Sequence, residues 1–188
     1  MKLILGLFLS IFLVACSSNN LKENHKIFKY NESAGISSLD PAFAKDQANI
    51  WATAQLFNGL VQLNKDLAVQ PAIAKRWDIT ADGKIYTFYL RTDVLFHQHE
   101  LLSEEERIVT AHDFVYSFNR LTDAELASPG AWVLNNVESY EALNDTSLRI
   151  SLKTPFPPFL GLLSMPYCSV VPEEVVSQTN FRDEPIGT

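Results

Sequence analysis

The densest run of groups able to do chemistry is His97-Gln98-His99-Glu100. On an extended chain, positions two apart share a face, so both imidazoles are able to reach one cation. A third ligand would have to come from elsewhere, so the expected reading is a partly exposed strand end with no metal. Glu104-Glu105-Glu106-Arg107 places carboxylates side by side. Paired acids work as acid and base only when burial splits their pKa values, and this polar stretch predicts a solvated loop. Cys168 lies in the apolar run Met165-Pro-Tyr-Cys-Ser-Val-Val171 with no histidine near it in sequence, and reads as a small core residue. His25 and His112 have no visible partner. A Gly-x-Ser-x-Gly elbow, a His-Glu-x-x-His pair, a phosphate loop and a glycine-rich dinucleotide turn are all absent from these residues. No catalytic residue, metal ligand or cofactor is assigned.

Cys16 has a different chemistry. Met1-Lys2 supplies one positive charge, residues 3–14 are almost continuously apolar, and Leu13-Val14-Ala15-Cys16 follows. A charged start, an apolar core and small residues before a cut describe a secretory signal. The run is shorter than the ~20 residues of a membrane span. A cysteine after Leu-Val-Ala resembles the lipobox of bacterial lipoproteins, in which the thiol takes a diacylglycerol and becomes the new N-terminus. Residues 1–15 are therefore expected to be removed, and residues 16–26, small and polar, to act as a flexible tether. Cys168 would then be the one thiol left, so no disulfide framework is expected.

The elements that must carry any site follow from periodicity. Lys26-Ile-Phe-Lys-Tyr30 alternates and predicts a strand. Ser37-Ser-Leu-Asp-Pro41 predicts a turn, with Asp before Pro disfavouring helix. Residues 48–57 predict a helix stopped by Asn58-Gly59. Residues 60–63 and 67–70 read as two strands about a turn, and Pro71 predicts a short helical turn through Arg76. Asp82-Gly83 marks a hairpin between Trp77-Asp-Ile79 and Ile85-Tyr-Thr-Phe-Tyr-Leu90, whose aromatic density predicts cover on both faces. Thr110-Ala-His-Asp113 resembles a capping box. It opens a helix in which Phe114, Phe118 and Leu121 form an apolar stripe, read as core. Ser147-Leu-Arg-Ile-Ser-Leu-Lys153 alternates as a strand that buries Leu148, Ile150 and Leu152. Pro155-Phe-Pro-Pro-Phe159 predicts a rigid bend with its phenylalanines inside. Pro172 predicts a helix start, with Glu173 and Glu174 in the first turn.

The order of strands and helices predicts a mixed α/β (α+β) fold, with no repeat array. Hydrophobic content of 47% and charged content of 20% exclude a disordered or fibrous chain. The net charge of −7 and the absence of a basic patch exclude nucleic acid as the expected partner.

Several motifs carry a family resemblance: Pro71-Ala-Ile-Ala-Lys-Arg-Trp77, Asp82-Gly83, Tyr86-Thr-Phe-Tyr-Leu-Arg91 and Val94-Leu-Phe-His97. Ser38-Leu-Asp-Pro41, Leu56-Phe-Asn-Gly-Leu60, Thr110-Ala-His-Asp-Phe-Val-Tyr-Ser-Phe118 and Pro155-Phe-Pro-Pro-Phe159 stand in matching order around them. Pro185-Ile-Gly-Thr188 is similar to the start of one more such segment. Together they resemble the bacterial extracellular solute-binding proteins of the peptide and nickel class (family 5), and most of all its oligopeptide-binding receptors. The sequence departs from the family pattern at Gln98-His99-Glu100 and in the acidic stretch that follows, which puts the shape of that loop in doubt.

The resemblance implies a periplasmic binding protein-like fold of two lobes hinged about a cleft, of which only part is present. Residues 27–54 and 168–188 would belong to the first lobe, residues 55–167 to a subdomain inserted in it, and the second lobe would lie beyond Thr188. It implies a monomeric lipoprotein receptor, anchored through Cys16 on the outer side of a bacterial membrane, periplasmic or otherwise extracytoplasmic. That receptor would hand oligopeptides to the permease subunits of an ATP-driven (ABC) importer. Lys45, Asp46 and Gln47 match a loop that lies along the ligand backbone in the peptide-binding branch, and Trp132 would wall a side-chain pocket. Against this stand a mere helix-entry loop for the first three and core packing for the tryptophan. The alternatives are the same fold with a dipeptide, nickel or haem as ligand, and a secreted lipoprotein hydrolase.

Overall fold

The computed structural model describes Lys29 and residues 31–188. The lipobox, the tether and most of the Lys26-to-Tyr30 strand expectation lie outside the described residues. Glu32–Thr188 forms one compact unit; Lys29 and Asn31, both exposed, belong to a separate one. Among the described residues no helix is long and apolar enough to cross a membrane.

The frame of the unit is a four-stranded antiparallel sheet. Its strands are β3 (Ala74–Ile79), β4 (Ile85–Leu90), β5 (Val137–Asn144) and β6 (Ser147–Leu152), in the order β3-β4-β6-β5. A separate two-stranded ribbon, β1 (Val61–Leu63) and β2 (Val69–Pro71), precedes it. The β3–β4 turn is where Asp82-Gly83 predicted it. Gly83 has φ +69°, and Asp82 accepts from the Thr80 hydroxyl and the Lys84 N–H. These two bonds hold the Asp82 carboxyl below its usual range, Thr80 contributing most.

Alternation then sorts the two faces of the sheet. Tyr86, Phe88 and Leu90 of β4 and Leu148, Ile150 and Leu152 of β6 are all buried. Phe88 faces Leu148 and Tyr86 faces Ile150 across the ladder. Helix α2 (Ala111–Thr122) closes this face. Its stripe of Phe114, Phe118 and Leu121 is fully buried, and Phe118 meets Tyr140 of β5 edge-on at 5.4 Å between ring centres. At its start, the Asp113 carboxylate accepts from the Thr110 N–H (2.7 Å) and hydroxyl (2.9 Å), as the capping-box pattern predicted.

Five expectations need correction. Residues 71–76 form no helical turn. Pro71 ends β2 on a ribbon edge, where its missing N–H costs nothing, and Ala74 pairs with Leu90 as the first residue of β3. The sheet is not covered on both faces. Ile85, Thr87 and Tyr89 are half-exposed, and Arg76 lies over the Tyr89 ring at 3.5 Å. The first helix, α1 (Gln47–Thr53), is shorter than predicted. Its end tightens through Gln55 and Leu56 N–H bonds to carbonyls three residues back, turning Phe57 and Leu60 into the core. Only Phe159 of the Pro155-to-Phe159 bend is buried, as the start of α3 (Phe159–Leu163); Phe156 stays exposed. Pro172 serves as N-cap of α4 (Glu173–Val176), one position earlier than predicted. Strand β5 carries no clear alternation and was not anticipated.

Candidate functional site

Two side-chain caps in close succession build the 45–47 loop. Asp40 caps a 3-10 turn, Pro41–Phe43, by accepting from the Ala42 N–H at 3.0 Å. Asp46 caps α1 by accepting from the Asn49 N–H (3.0 Å) and side-chain amide (3.2 Å). Between the caps the chain bulges outward, and Lys45, Asp46 and Gln47 are all exposed. Buried Asn49 holds the preceding segment in place through a reciprocal pair of bonds with Ser37, at 3.0 and 2.9 Å.

Asp46, Gln47 and Trp51, with Glu32 and Ser37, line a depression of about 390 Å³. Trp51 is a member of this surface that the sequence reading missed. Its signal was its spacing: four residues beyond Gln47, it stands on the same face of α1.

Trp132 belongs to a distant segment whose preceding loop is tied to this one. It sits in the 3-10 turn Ala131–Leu134 and is 50% exposed, so core packing does not describe it. The Ser128 hydroxyl donates to the Ala42 carbonyl (2.6 Å) and accepts from the Gly130 N–H (3.0 Å), which ties the loop before Trp132 to the turn before Lys45. Between them Lys45, Asp46, Gln47, Trp51 and Trp132 offer an ammonium, a carboxylate with acceptor sites to spare beyond its cap bonds, an amide that donates and accepts, and two indoles. That set suits an amphoteric, hydrogen-bonding ligand. It contains no nucleophile with a base beside it.

The other candidates have local explanations. His97 is exposed. Its backbone N–H donates to the Gly187 carbonyl, and the His99 Nδ1 accepts from the Leu101 N–H at 3.2 Å. Among the described residues no group of three or more His, Cys, Asp or Glu side chains is placed to hold a metal. The acidic stretch folds on itself, with Arg107 paired to Glu104 (2.9 Å) and Glu106 accepting from the Ser103 N–H (2.8 Å). Cys168 is buried, and burial pushes its thiol up to about 12, so almost no thiolate exists at neutral pH.

Residues 68–188 match the family model for bacterial extracellular solute-binding proteins, family 5, middle region. The chain is 31% identical over 170 residues to the probable deoxycholate-binding periplasmic protein YgiS of Escherichia coli, covering 81% of this chain and 30% of that protein. It is 30% identical over 198 residues to di/tripeptide-binding protein 2 of Pseudomonas aeruginosa, covering 95% of this chain and 37% of that protein. Among solved structures it resembles the periplasmic binding protein DppA from Helicobacter pylori in complex with peptide STSA. The TM-score is 0.71 and the identity 31%, over 81% of this chain and 33% of that one. This chain belongs to the bacterial extracellular solute-binding proteins, family 5. It spans about a third of the length of the relatives it matches.

Proposed function

We propose that the protein is the receptor of an ATP-driven importer, which captures oligopeptides outside the cytoplasmic membrane and delivers them to the permease. The observation that carries this is the likeness to a solved binding protein holding a peptide, over four-fifths of this chain. In this reading Lys45, Asp46 and Gln47 run along the ligand backbone, and Trp132 walls a side-chain pocket. Backbone hydrogen bonds and charge hold peptides of varied sequence, while roomy hydrated pockets accept the side chains. Residues 27–54 and 168–188 act as part of one lobe, with 55–167 inserted in it. Closure of a second lobe over the ligand gives the transporter a shape to read. Cys16 carries the lipid that keeps the monomeric receptor at the membrane.

The test is calorimetry on the full-length protein with a panel of di- to pentapeptides, beside native mass spectrometry of whatever ligand it carries from the cell. The reading expects peptide masses and saturable binding. Combining Lys45→Ala, Asp46→Ser and Gln47→Ala should weaken binding by at least ~1 kcal/mol. Serine keeps the α1 cap, so the melting temperature without ligand should hold. Unchanged affinity would remove the loop from the site. A co-purifying bile acid, suggested by the YgiS relative's name, or a metal chelate would replace oligopeptides as the ligand.

A further inference from the structure

Tyr167 lies far in sequence from both the 45–47 loop and Trp132, and packing brings it against the turns that lead into each. It sits in the 3-10 turn Pro166–Cys168, which packs against the Pro41–Phe43 turn. Its ring rests directly on the backbone of Gly130. A Cβ placed there would lie 2.3 Å from two ring carbons, far inside any allowed contact. Gly130 has φ −92° and ψ −4°, a conformation open to any residue. The glycine is therefore there for space and not for its backbone freedom: the missing side chain is the seat of the tyrosine ring.

Three further observations locate this ring in the candidate site. The Gly130 N–H bonds to Ser128, whose hydroxyl holds the turn that leads into Lys45. Trp132 stands two residues beyond Gly130, so their Cα atoms are at most about 7 Å apart. Tyr167 is only half-buried, and its phenol is held above the usual range, first by burial and then by the negative charge of Asp46. A buried tyrosine is ordinarily a packing residue. A half-exposed one, packed against the core and seated on a bare glycine backbone two residues before an exposed tryptophan, leaves part of its ring open to whatever occupies the surface.

We propose that Tyr167 is a specificity-determining residue of the ligand site. Its ring, seated on Gly130, forms with Trp132 an aromatic corner that takes a planar or branched apolar side chain of a bound peptide. The assignment rests on the peptide-receptor reading above. Gly130 acts through Tyr167 and is a positioning residue.

The experiment is calorimetry on the full-length protein with tetra-alanine and with tetrapeptides carrying one Phe, Leu or Glu at each position in turn. The wild-type protein should prefer Phe or Leu over Glu at one position. Tyr167→Ala should cut that preference by about fivefold, leaving tetra-alanine affinity within about twofold. Tyr167→Phe should retain the preference, since the ring and not the hydroxyl makes the corner. Gly130→Ala, which unseats the ring, should reproduce the alanine variant. If Tyr167→Ala fails to fold, Tyr167→Leu, which keeps bulk but not planarity, carries the test by lowering the Phe-over-Leu ratio. Unchanged selectivity in folded Tyr167→Ala or Tyr167→Leu, or an equal loss for every peptide, overturns the assignment while leaving peptide binding intact. A wild-type protein that binds none of the peptides overturns the receptor reading and this assignment together.

Discussion

Asp40 and Arg120, eighty positions apart, meet as a two-pronged ion pair, with the Arg120 guanidinium donating to both carboxylate oxygens. Asp40 is 1% exposed and the Arg120 side chain 13%. The pair joins the segment that leads into the 45–47 loop to the last turn of α2. Phe181 backs the guanidinium at 5.9 Å, while Asp40 also caps the Pro41–Phe43 turn. Breaking such a pair leaves one charge buried and alone, which costs more than the pair itself contributes. Arg120→Met should cost ~3 kcal/mol or more. Asp40→Asn, which keeps the cap, should cost a comparable amount. The double variant should lose much less than the sum. Urea unfolding of the four proteins gives the coupling, and strict additivity would show that the pair is not a unit.

Gly187 is placed under a tighter restraint. A Cβ there would lie 1.7 Å from the Leu56 carbonyl oxygen, while the Thr188 N–H bonds that same oxygen at 3.1 Å and the Gly187 carbonyl accepts from His97 at 2.9 Å. The obstacle is backbone, which cannot swing aside. Gly187→Ala should therefore cost at least ~2 kcal/mol and free the Asn58–Thr188 hydrogen bonds. Faster amide exchange at His97 and Thr188 would report it. Wild-type exchange rates in the variant would mean that the two segments part without cost.

Burial holds the Asp113 carboxyl above its usual 3.8, and this outweighs the lowering effect of its two bonds from Thr110. A raised carboxyl binds its proton more tightly folded than unfolded. Its contribution is full below about 3.8 and is lost as pH rises through the raised folded value. Asp113→Asn keeps an acceptor for the Thr110 N–H but has no proton to lose. The variant should lack that part of the decline in stability with rising pH above 3.8. Parallel pH–stability curves for the two proteins would remove Asp113 as the source.

The lipid assignment for Cys16 is tested in cells. Cys16→Ser should release the protein from the membrane fraction or leave uncleaved precursor, and metabolic labelling with a palmitate analogue should disappear. A variant that fractionates and migrates like the parent would leave the Leu13-Val14-Ala15-Cys16 box without a role.

Local signals carried the sequence reading where the physics is local. Asp82-Gly83 with alternation placed β4 and residues 77–79 of β3, and the Phe114, Phe118 and Leu121 spacing placed the buried face of α2. The reading failed where pairing partners decide. Pro71 to Arg76 has the composition of a helical turn, yet Ala74 becomes a strand because Leu90 is there to bond it. Strand β5, whose exposed outer positions include Glu138 and Glu141, is fixed by β6, down to the Glu141–Arg149 cross-strand pair at 3.2 Å. The site divides the same way. Lys45, Asp46 and Gln47 are contiguous and legible as a loop. What ties their approach to the loop before Trp132 and to Tyr167 is Ser128 reaching Ala42 and a ring finding the vacant side of Gly130. Neither contact leaves a mark in the sequence nearby.

The short run that closes the unit has a consequence for how the protein is made. Leu39 bonds Arg182, Phe57 packs on Phe181, and Asn58 bonds Thr188. The earliest described segments therefore wait for the latest ones to be synthesised. Until residues 181–188 clear the ribosome, Phe57 lacks its aromatic cover and Leu39 and Asn58 lack these late partners. Asn58 waits 130 residues for Thr188, so this unit stays slack until that stretch has been made, the state a polypeptide must keep if it is to be threaded through a narrow channel before it folds.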